Sequence, residues 1–453
     1  MSTIFPLVAA GHPGSDITVE QDGGAVVRRS ILPGGVRVLT ERIPGMRSAT
    51  FGAWVGIGSR DEGDKHLGST HFLEHLLFKG TDRRSAQDIA EAFDAVGGEA
   101  NAATGKEHTC YYARVLDKDA PLAIDVILDM ITSATIDSSE LELERGVILE
   151  ELAMHDDDPT DVAFEQFSTA VLGKHPLGRP IGGTPEAIRA VPRDAVWDYY
   201  QKHYVPEGLV ITAAGGVDHD EVCALVEKEL DRGGWQRSGG AIPLGRRSAN
   251  SRVVSSAGNA VTVRRTTEQA NIIVGGPGLV VTDADRFTIS VLHAVLGGGM
   301  SSRLFQEVRE RRGLAYAVQS ISSGFADAGM FGLYAGCAPH NARAVVDLLL
   351  EEWQKLADNG ITESELKRSI GQLSGGIVLG LEDSSARMSR LGRAELSFGE
   401  LTSVDESLER VAAVTRDDVQ RLANELFDKP RSIAAVGPFD TDVTLPVSSA
   451  TVV

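Results

Sequence analysis

His71, Glu74 and His75 are the residues of this chain whose types and spacing could do chemistry together. They stand in the run Gly68-Ser69-Thr70-His71-Phe72-Leu73-Glu74-His75-Leu76-Leu77-Phe78-Lys79-Gly80. Phe72, Leu73, Leu76 and Leu77 predict a helix with one buried face. On such a helix His71 and His75 lie one turn apart, and two imidazoles so placed can hold one Zn²⁺. Glu74 falls beside them. The order His-x-x-Glu-His inverts the more familiar His-Glu-x-x-His arrangement. Taken alone, the triplet can equally be a solvated helix face.

A catalytic zinc needs a third protein ligand and an open position for water. The run Leu141-Glu142-Leu143-Glu144-Arg145-Gly146-Val147-Ile148-Leu149-Glu150-Glu151 offers candidates. Glu144 and Glu151 are seven apart and share a helix face, with Leu141, Ile148 and Val147 close by. Carboxylates on so apolar a face need a partner or a metal, because burying a bare charge is costly. Glu150 is offset by about 100° and points elsewhere. A solvated acidic face accounts for Glu140, Glu142 and Glu150. His155, four residues past Glu151, is a rival ligand, although Asp156-Asp157-Asp158-Pro159 after it reads as a polar helix exit.

The elements that must position these residues can be read in order. Residues 1–30 look irregular. Gly34-Gly35 is a turn signal, and strands are expected after it over 36–43 and 48–56. Ser85 opens a helix in a capping-box pattern with Asp88 that stops at Gly97-Gly98. Two strands, 99–104 and 107–115, form a hairpin around Gly105-Lys106. Helices follow over 121–134 and 138–153, with Asp137, Ser138 or Ser139 as cap. Helices near 160–171, 193–203 and 218–231 and a strand from Leu209 complete the first half.

From 231 to 258 the chain turns Gly-, Ser- and Arg-rich and reads as a linker. The halves on either side look alike. Ile136-Asp137-Ser138-Ser139-Glu140-Leu141 precedes a long helix, and Ile361-Thr362-Glu363-Ser364-Glu365-Leu366 does so 225 residues later. Strand signals at 315–323 and 330–337 repeat the earlier hairpin. An internal duplication of one α+β unit follows, chemically lopsided, since Ser369 and Gly376 stand where the first half has Glu144 and Glu151. The divisions expected are an irregular 1–30, a domain over 31–230, the linker 231–258, a degenerate repeat over 259–440 and a tail over 441–453.

Composition bounds the rest. The 453 residues exceed one typical core, and 42% hydrophobic and 24% charged residues are ordinary for a soluble protein. A net charge of −20, from 64 acidic and 44 basic residues, argues against nucleic-acid binding and leaves room for a cationic ligand. Cys110, Cys223 and Cys337 are few and scattered, which excludes a disulfide framework and fits a reducing compartment. The first 30 residues carry no basic leader and no apolar run spans a membrane, so a cytoplasmic location is expected.

With these residues in place the chain resembles the M16 metallopeptidases, the inverzincin group, and within it the bacterial proteins similar to processing peptidases. The resemblance covers about residues 32–437, and Glu151 stands 76 residues past His75, where the family has its third ligand. It implies an α+β fold of two homologous domains, each a mostly antiparallel sheet packed with helices, of the LuxS/MPP-like metallopeptidase type. It implies Zn²⁺ held by His71, His75 and Glu151, with Glu144 supporting a ligand histidine. Glu74 would take the proton from zinc-bound water and pass it to the leaving amine. Arg309 and Tyr316 resemble a family pair that reaches substrate near the zinc. Read without the family they are a helix end and a strand residue.

Gly98-Glu99-Ala100-Asn101-Ala102-Ala103-Thr104 resembles the family's substrate-binding edge strand, which puts Asn101, Ala102 and Ala103 against an extended peptide. Gly297-Gly298-Gly299 resembles a glycine-rich substrate contact of a processing-peptidase subunit, or is a turn before a helix. The expected function is a zinc endopeptidase for short or unfolded peptides, basic ones favoured, working as a homodimer that closes a chamber. The alternative is a non-catalytic M16-like binding or scaffold subunit.

Overall fold

Apolar runs and alternations build two large sheets, each in its own unit, besides a two-stranded pairing of Phe5–Pro6 with Glu400–Leu401. The computed structural model describes residues 5–6, 16–20, 24–237, 240–247 and 258–444. Unit 1 comprises Met1–Leu152, Pro180–Arg247 and Leu379–Ser403, and unit 2 comprises Ala153–Arg179, Ser248–Val378 and Val404–Val453. Part of the expected linker, 238–239 and 248–257, and the tail from 445 lie outside the described residues.

The sheet of unit 1 has seven strands, in the order Ile17–Glu20, Val26–Ile31, Arg37–Arg42, Leu209–Gly215, Ser48–Val55, Thr109–Leu116, Glu99–Thr104. That of unit 2 has five, in the order Ala260–Arg264, Ser432–Gly437, Ala270–Pro277, Gly329–Cys337, Ala315–Gly324. Five strands correspond one to one. In both sheets one parallel pair is followed by three antiparallel pairs, ending on an edge hairpin. The duplication expected from the sequence is therefore present as an α+β unit used twice. The long helices after the repeated signal run Ser138–Asp157 and Glu363–Gly380, and Ser369 is buried as Glu144 is. Asp137 is the cap of the first, accepting from the Ser139 N–H at 2.7 Å.

Three strands, Phe5–Pro6, Ile17–Glu20 and Val26–Ile31, fall where an irregular N-terminus was expected. Val26–Ile31 pairs with Arg37–Arg42 across the turn at Gly34 and Gly35, both with positive φ, and Ile17–Glu20 pairs outside it. Arg29 is buried because the Glu395 carboxylate, 366 residues away, receives it at 2.9 and 3.2 Å. A buried charge needs such a partner, and no local pattern announces it.

Packing units and chain order do not coincide. Pro159–Leu172 belongs to unit 2, where Phe167 packs with Ile273 and Ala434. Ser384–Arg393 belongs to unit 1, where Met388 and Leu391 pack with Trp54 and Val210. The central strands explain this: Leu209–Gly215 is buried throughout, so both sheet faces need cover. Glycine permits the close approach, since a Cβ on Gly52 would lie 2.3 Å from Met388 Sδ.

Candidate metal and active site

The motif run folds as the helix Ser69–Leu76, eight residues with Phe72, Leu73 and Leu76 buried. Its start is fixed by Glu62, whose carboxylate accepts the N–H groups of Gly68 and Thr70, each at 2.8 Å. An acidic group at a helix N-terminus satisfies free donors and suits the helix dipole. Gly68 adopts φ +87°, and a Cβ there would lie 2.4 Å from Ile188 Cδ1, so the entry demands glycine.

The helix pair brings His71, His75 and Glu151 together. The two Nε2 atoms lie 3.3 Å apart, and Glu151 Oε2 lies 3.5 Å from that of His71 and 3.4 Å from that of His75. A tetrahedral zinc with bonds of 2.0–2.1 Å sets its ligand atoms about 3.3 Å apart, so the triangle fits. The donor chemistry fits as well. Glu144 Oε2 lies 2.9 Å from His75 Nδ1, and Glu144 Oε1 is 2.5 Å from Lys79 Nζ. Burial alone would raise the Glu144 pKa, but the hydrogen bonds from Lys79 and His75 outweigh it and hold it below the ordinary glutamate value. An ionised Glu144 only accepts, so His75 Nδ1–H donates to it and Nε2 is the ring nitrogen left to face a metal. Nε2 of His75 faces the Glu151 carboxylate and Nε2 of the second imidazole, so three potential ligand atoms converge on one point. Among the described residues this is the cluster of three or more His, Cys, Asp or Glu side chains able to hold a metal ion.

Side-chain exposure rises from 9% for His71 through 19% for His75 to 32% for Glu151, so the cluster opens toward solvent on the Glu151 side. Behind His71 the wall is tight, since a Cβ on Gly182 would lie 3.4 Å from its Nδ1 and 2.8 Å from Leu152 Cδ2. Glu74 stands outside the cluster. Its Oε2 accepts the Thr104 N–H at 3.1 Å, which ties it to the end of the edge strand.

The acidic helix differs from expectation in one respect. Leu141, Glu144 and Ile148 are buried, but Val147 is 50% exposed, as are Leu143 and Met154 at 64%. Glu144 is thus held by Lys79 and His75 rather than by an apolar face that includes Val147. Glu142 and Glu150 are exposed as expected. His155 is not in the cluster and pairs with Asp161 at 2.8 Å.

Glu99–Thr104 is an edge strand, with Asn101 and Ala103 exposed and Ala102 buried. Asn101 Oδ1 accepts the N–H of Ala102 at 2.8 Å, covering a donor that a peptide strand would use. In unit 2, Arg309 donates to the Tyr316 carbonyl at 3.0 Å and its guanidinium stacks 4.4 Å from the Tyr316 ring. Tyr316 is 73% exposed and sits at a register break between Ala315 and Ala317, the kind of bulge that re-aims a side chain. Gly297 ends the helix Arg286–Gly297, where a Cβ would lie 2.2 Å from Ser320 N, so the glycine run is at least a close-packed turn.

The sequence reading gives no role in the site to Lys79, Glu62, Thr104 or Gly182. Lys79 had a signal, because it follows His75 by four residues and falls on the same face. The other three act across loops or strands, where no spacing rule applies.

Two family profiles match the chain: insulinase (peptidase family M16) over residues 37–185, and the peptidase M16 inactive domain over residues 190–373. The chain is similar to a protein of Streptomyces coelicolor named uncharacterized zinc protease, 50% identical over 418 residues that cover 92% of this chain and 91% of the relative. A Bacillus subtilis protein of the same description is 39% identical, covering 91% and 98%. Among solved structures, a peptidase M16 inactive domain from Pseudomonas fluorescens superposes with a TM-score of 0.81 at 18% identity, covering 95% of this chain and all of that one. A protease from Helicobacter pylori superposes at 0.79 and 20% identity, covering 93% and 99%.

Proposed function

The chain belongs to the M16 peptidase family, and we propose that it is a zinc-dependent endopeptidase cutting short or unfolded peptides. Relatives named zinc protease support a zinc-dependent peptidase in general. The observation that carries the finer reading is the triangle of His71, His75 and Glu151 donor atoms with the His75 tautomer set by Glu144. These three residues would hold the metal. Zinc, when bound, polarises the scissile carbonyl and makes water acidic enough to attack at neutral pH.

The protein's own groups do the rest. Glu74 takes the proton of the attacking water and returns it to the departing amine. Its tie to the Thr104 N–H keeps the carboxylate aimed beside the edge strand on which a substrate backbone would lie. For that strand to accept a peptide, Asn101 must turn away from Ala102. Arg309 and Tyr316, preassembled by stacking, would bind the peptide carbonyl and the developing oxyanion. They act across a homodimer that encloses the site and excludes folded proteins. The net charge of −20 favours basic peptides. Three free cysteines fit a reducing, cytoplasmic setting, and among the described residues no helix is long and apolar enough to cross a membrane.

Purified protein should contain one zinc per chain, elute with twice the chain mass, and cleave a basic fluorogenic peptide. Chelation should abolish cleavage and added zinc restore it, while a stably folded protein stays intact. Stoichiometric zinc without any cleavage would identify a scaffold subunit instead. A second result concerns Glu144. Glu144→Ala should weaken zinc binding about 10–100-fold by chelator competition, because His75 loses the acceptor that sets its tautomer. An unchanged affinity would remove Glu144 from the supporting role.

A further inference from the structure

We propose that unit 1 carries a second ligand site, separate from the histidine cluster: a pocket for a phosphate-sized oxyanion, formed by Arg37, Lys202, Arg246 and Arg247. The cavity lies past the ends of the strands Ser48–Val55 and Leu209–Gly215, and all its lining residues belong to unit 1. Its volume of about 70 Å³ has room for roughly five water molecules, the space of one small tetrahedral anion.

Its charge is unbalanced. Glu107 is the lining's carboxylate, and it is engaged by Arg60 at 2.6 Å. Arg37 is 1% exposed and shares the Glu395 carboxylate with Arg29, which holds it more closely, at 2.9 Å against 3.5 Å. Glu395 thus divides its contacts between Arg29 and Arg37. Arg37 Nε and Arg246 Nε are both buried without an acceptor among the described residues. Arg246 otherwise reaches only as far as the Ser397 carbonyl at 3.4 Å in the contacts described, and Arg247 is held by Asp61 and the Gly56 carbonyl. Unused guanidinium donors around a cavity match the several acceptor oxygens of a phosphate or sulfate. His108 reports the same field. Burial first, then Arg393 and Arg247, push its pKa down to about 4, so the imidazole stays neutral beside its cationic neighbours. A concentration of positive charge is conspicuous in a chain of net charge −20.

The test uses the zinc-loaded, full-length protein, titrated with inorganic phosphate and separately with sulfate at ionic strength held constant by chloride. Calorimetry should show saturable binding, and Tm should rise by about 3 °C at a hundredfold excess over Kd. Arg246→Gln should weaken binding at least about tenfold and leave peptide cleavage in chloride unchanged. Lys202→Gln, at an exposed position, gives the same readout if the first variant folds poorly. No saturable response, or equal binding by wild type and both variants, would overturn the site and leave only general screening. A response to phosphate but not sulfate, retained in both variants, would place the anion at the metal and not in this pocket.

Discussion

Glu74→Gln should lower kcat for a basic peptide by about 10²–10⁴-fold while zinc stays bound and the fold is unchanged. The size of the loss follows from what the substitution removes. Glutamine keeps the shape of the side chain and still offers an oxygen to the Thr104 N–H, so the edge strand and the motif helix stay in register. It cannot take a proton from water. Glu74 lies outside the His71–His75–Glu151 cluster, so the donor set for the metal is untouched. Zinc analysis and peptide turnover are measured on the same preparation. Full turnover with zinc present would remove Glu74 from the reaction. Lost zinc would make it a ligand and contradict the geometry.

Glu151→Ala should act in the opposite order, through the metal. The triangle of donor atoms becomes a pair of neutral nitrogen donors, and the metal loses its charged ligand while Glu144 still holds His75. Zinc affinity should fall by more than the roughly 100-fold that loss of a supporting hydrogen bond can cost, and turnover should fall with it. Glu150→Ala is the control. It is the adjacent residue and a carboxylate too, but it is exposed and offset by about 100°, so zinc and turnover should be unaffected. Stoichiometric zinc retained by Glu151→Ala after dialysis would mean that the third ligand lies elsewhere. His155, paired with Asp161, gives no indication of taking that place.

These two substitutions probe the parts of the site that local spacing made legible. A helix advances by a fixed angle per residue, so four residues between His71 and His75, or seven between Glu144 and Glu151, convert directly into a shared face. The same regularity exposed Glu150 as a bystander and made the repeated Ile-Asp-Ser-Ser and Ile-Thr-Glu-Ser signals recognisable as two copies of one unit. Strand alternation and turn glycines placed the edge hairpin over 99–115, and the structure has it at Glu99–Thr104 and Thr109–Leu116.

Where a residue's environment is made by distant parts of the chain, spacing was silent or misleading. Val26–Ile31 lies in a stretch read as irregular, yet it pairs into the sheet with Arg29 buried against Glu395. Val147 passed for part of a buried face because it is apolar, yet it is half exposed. The helix Ser384–Arg393 sits far from the strands it covers in sequence, so its packing on Trp54 could not be anticipated.

The sequence by itself determined the chemical inventory: which side chains can bind a metal, which can move a proton, and that one half carries them while its copy does not. Tertiary structure decided how that inventory is used. The meeting of His75 with Glu144, of Glu74 with the Thr104 N–H and of Glu62 with the start of the motif helix follows from burial of two helices and a sheet edge against one core. Those contacts set the imidazole tautomer and the aim of the carboxylate. They depend on side chains brought together by packing across separations of 6 to 69 residues, and packing leaves no fixed period in a sequence.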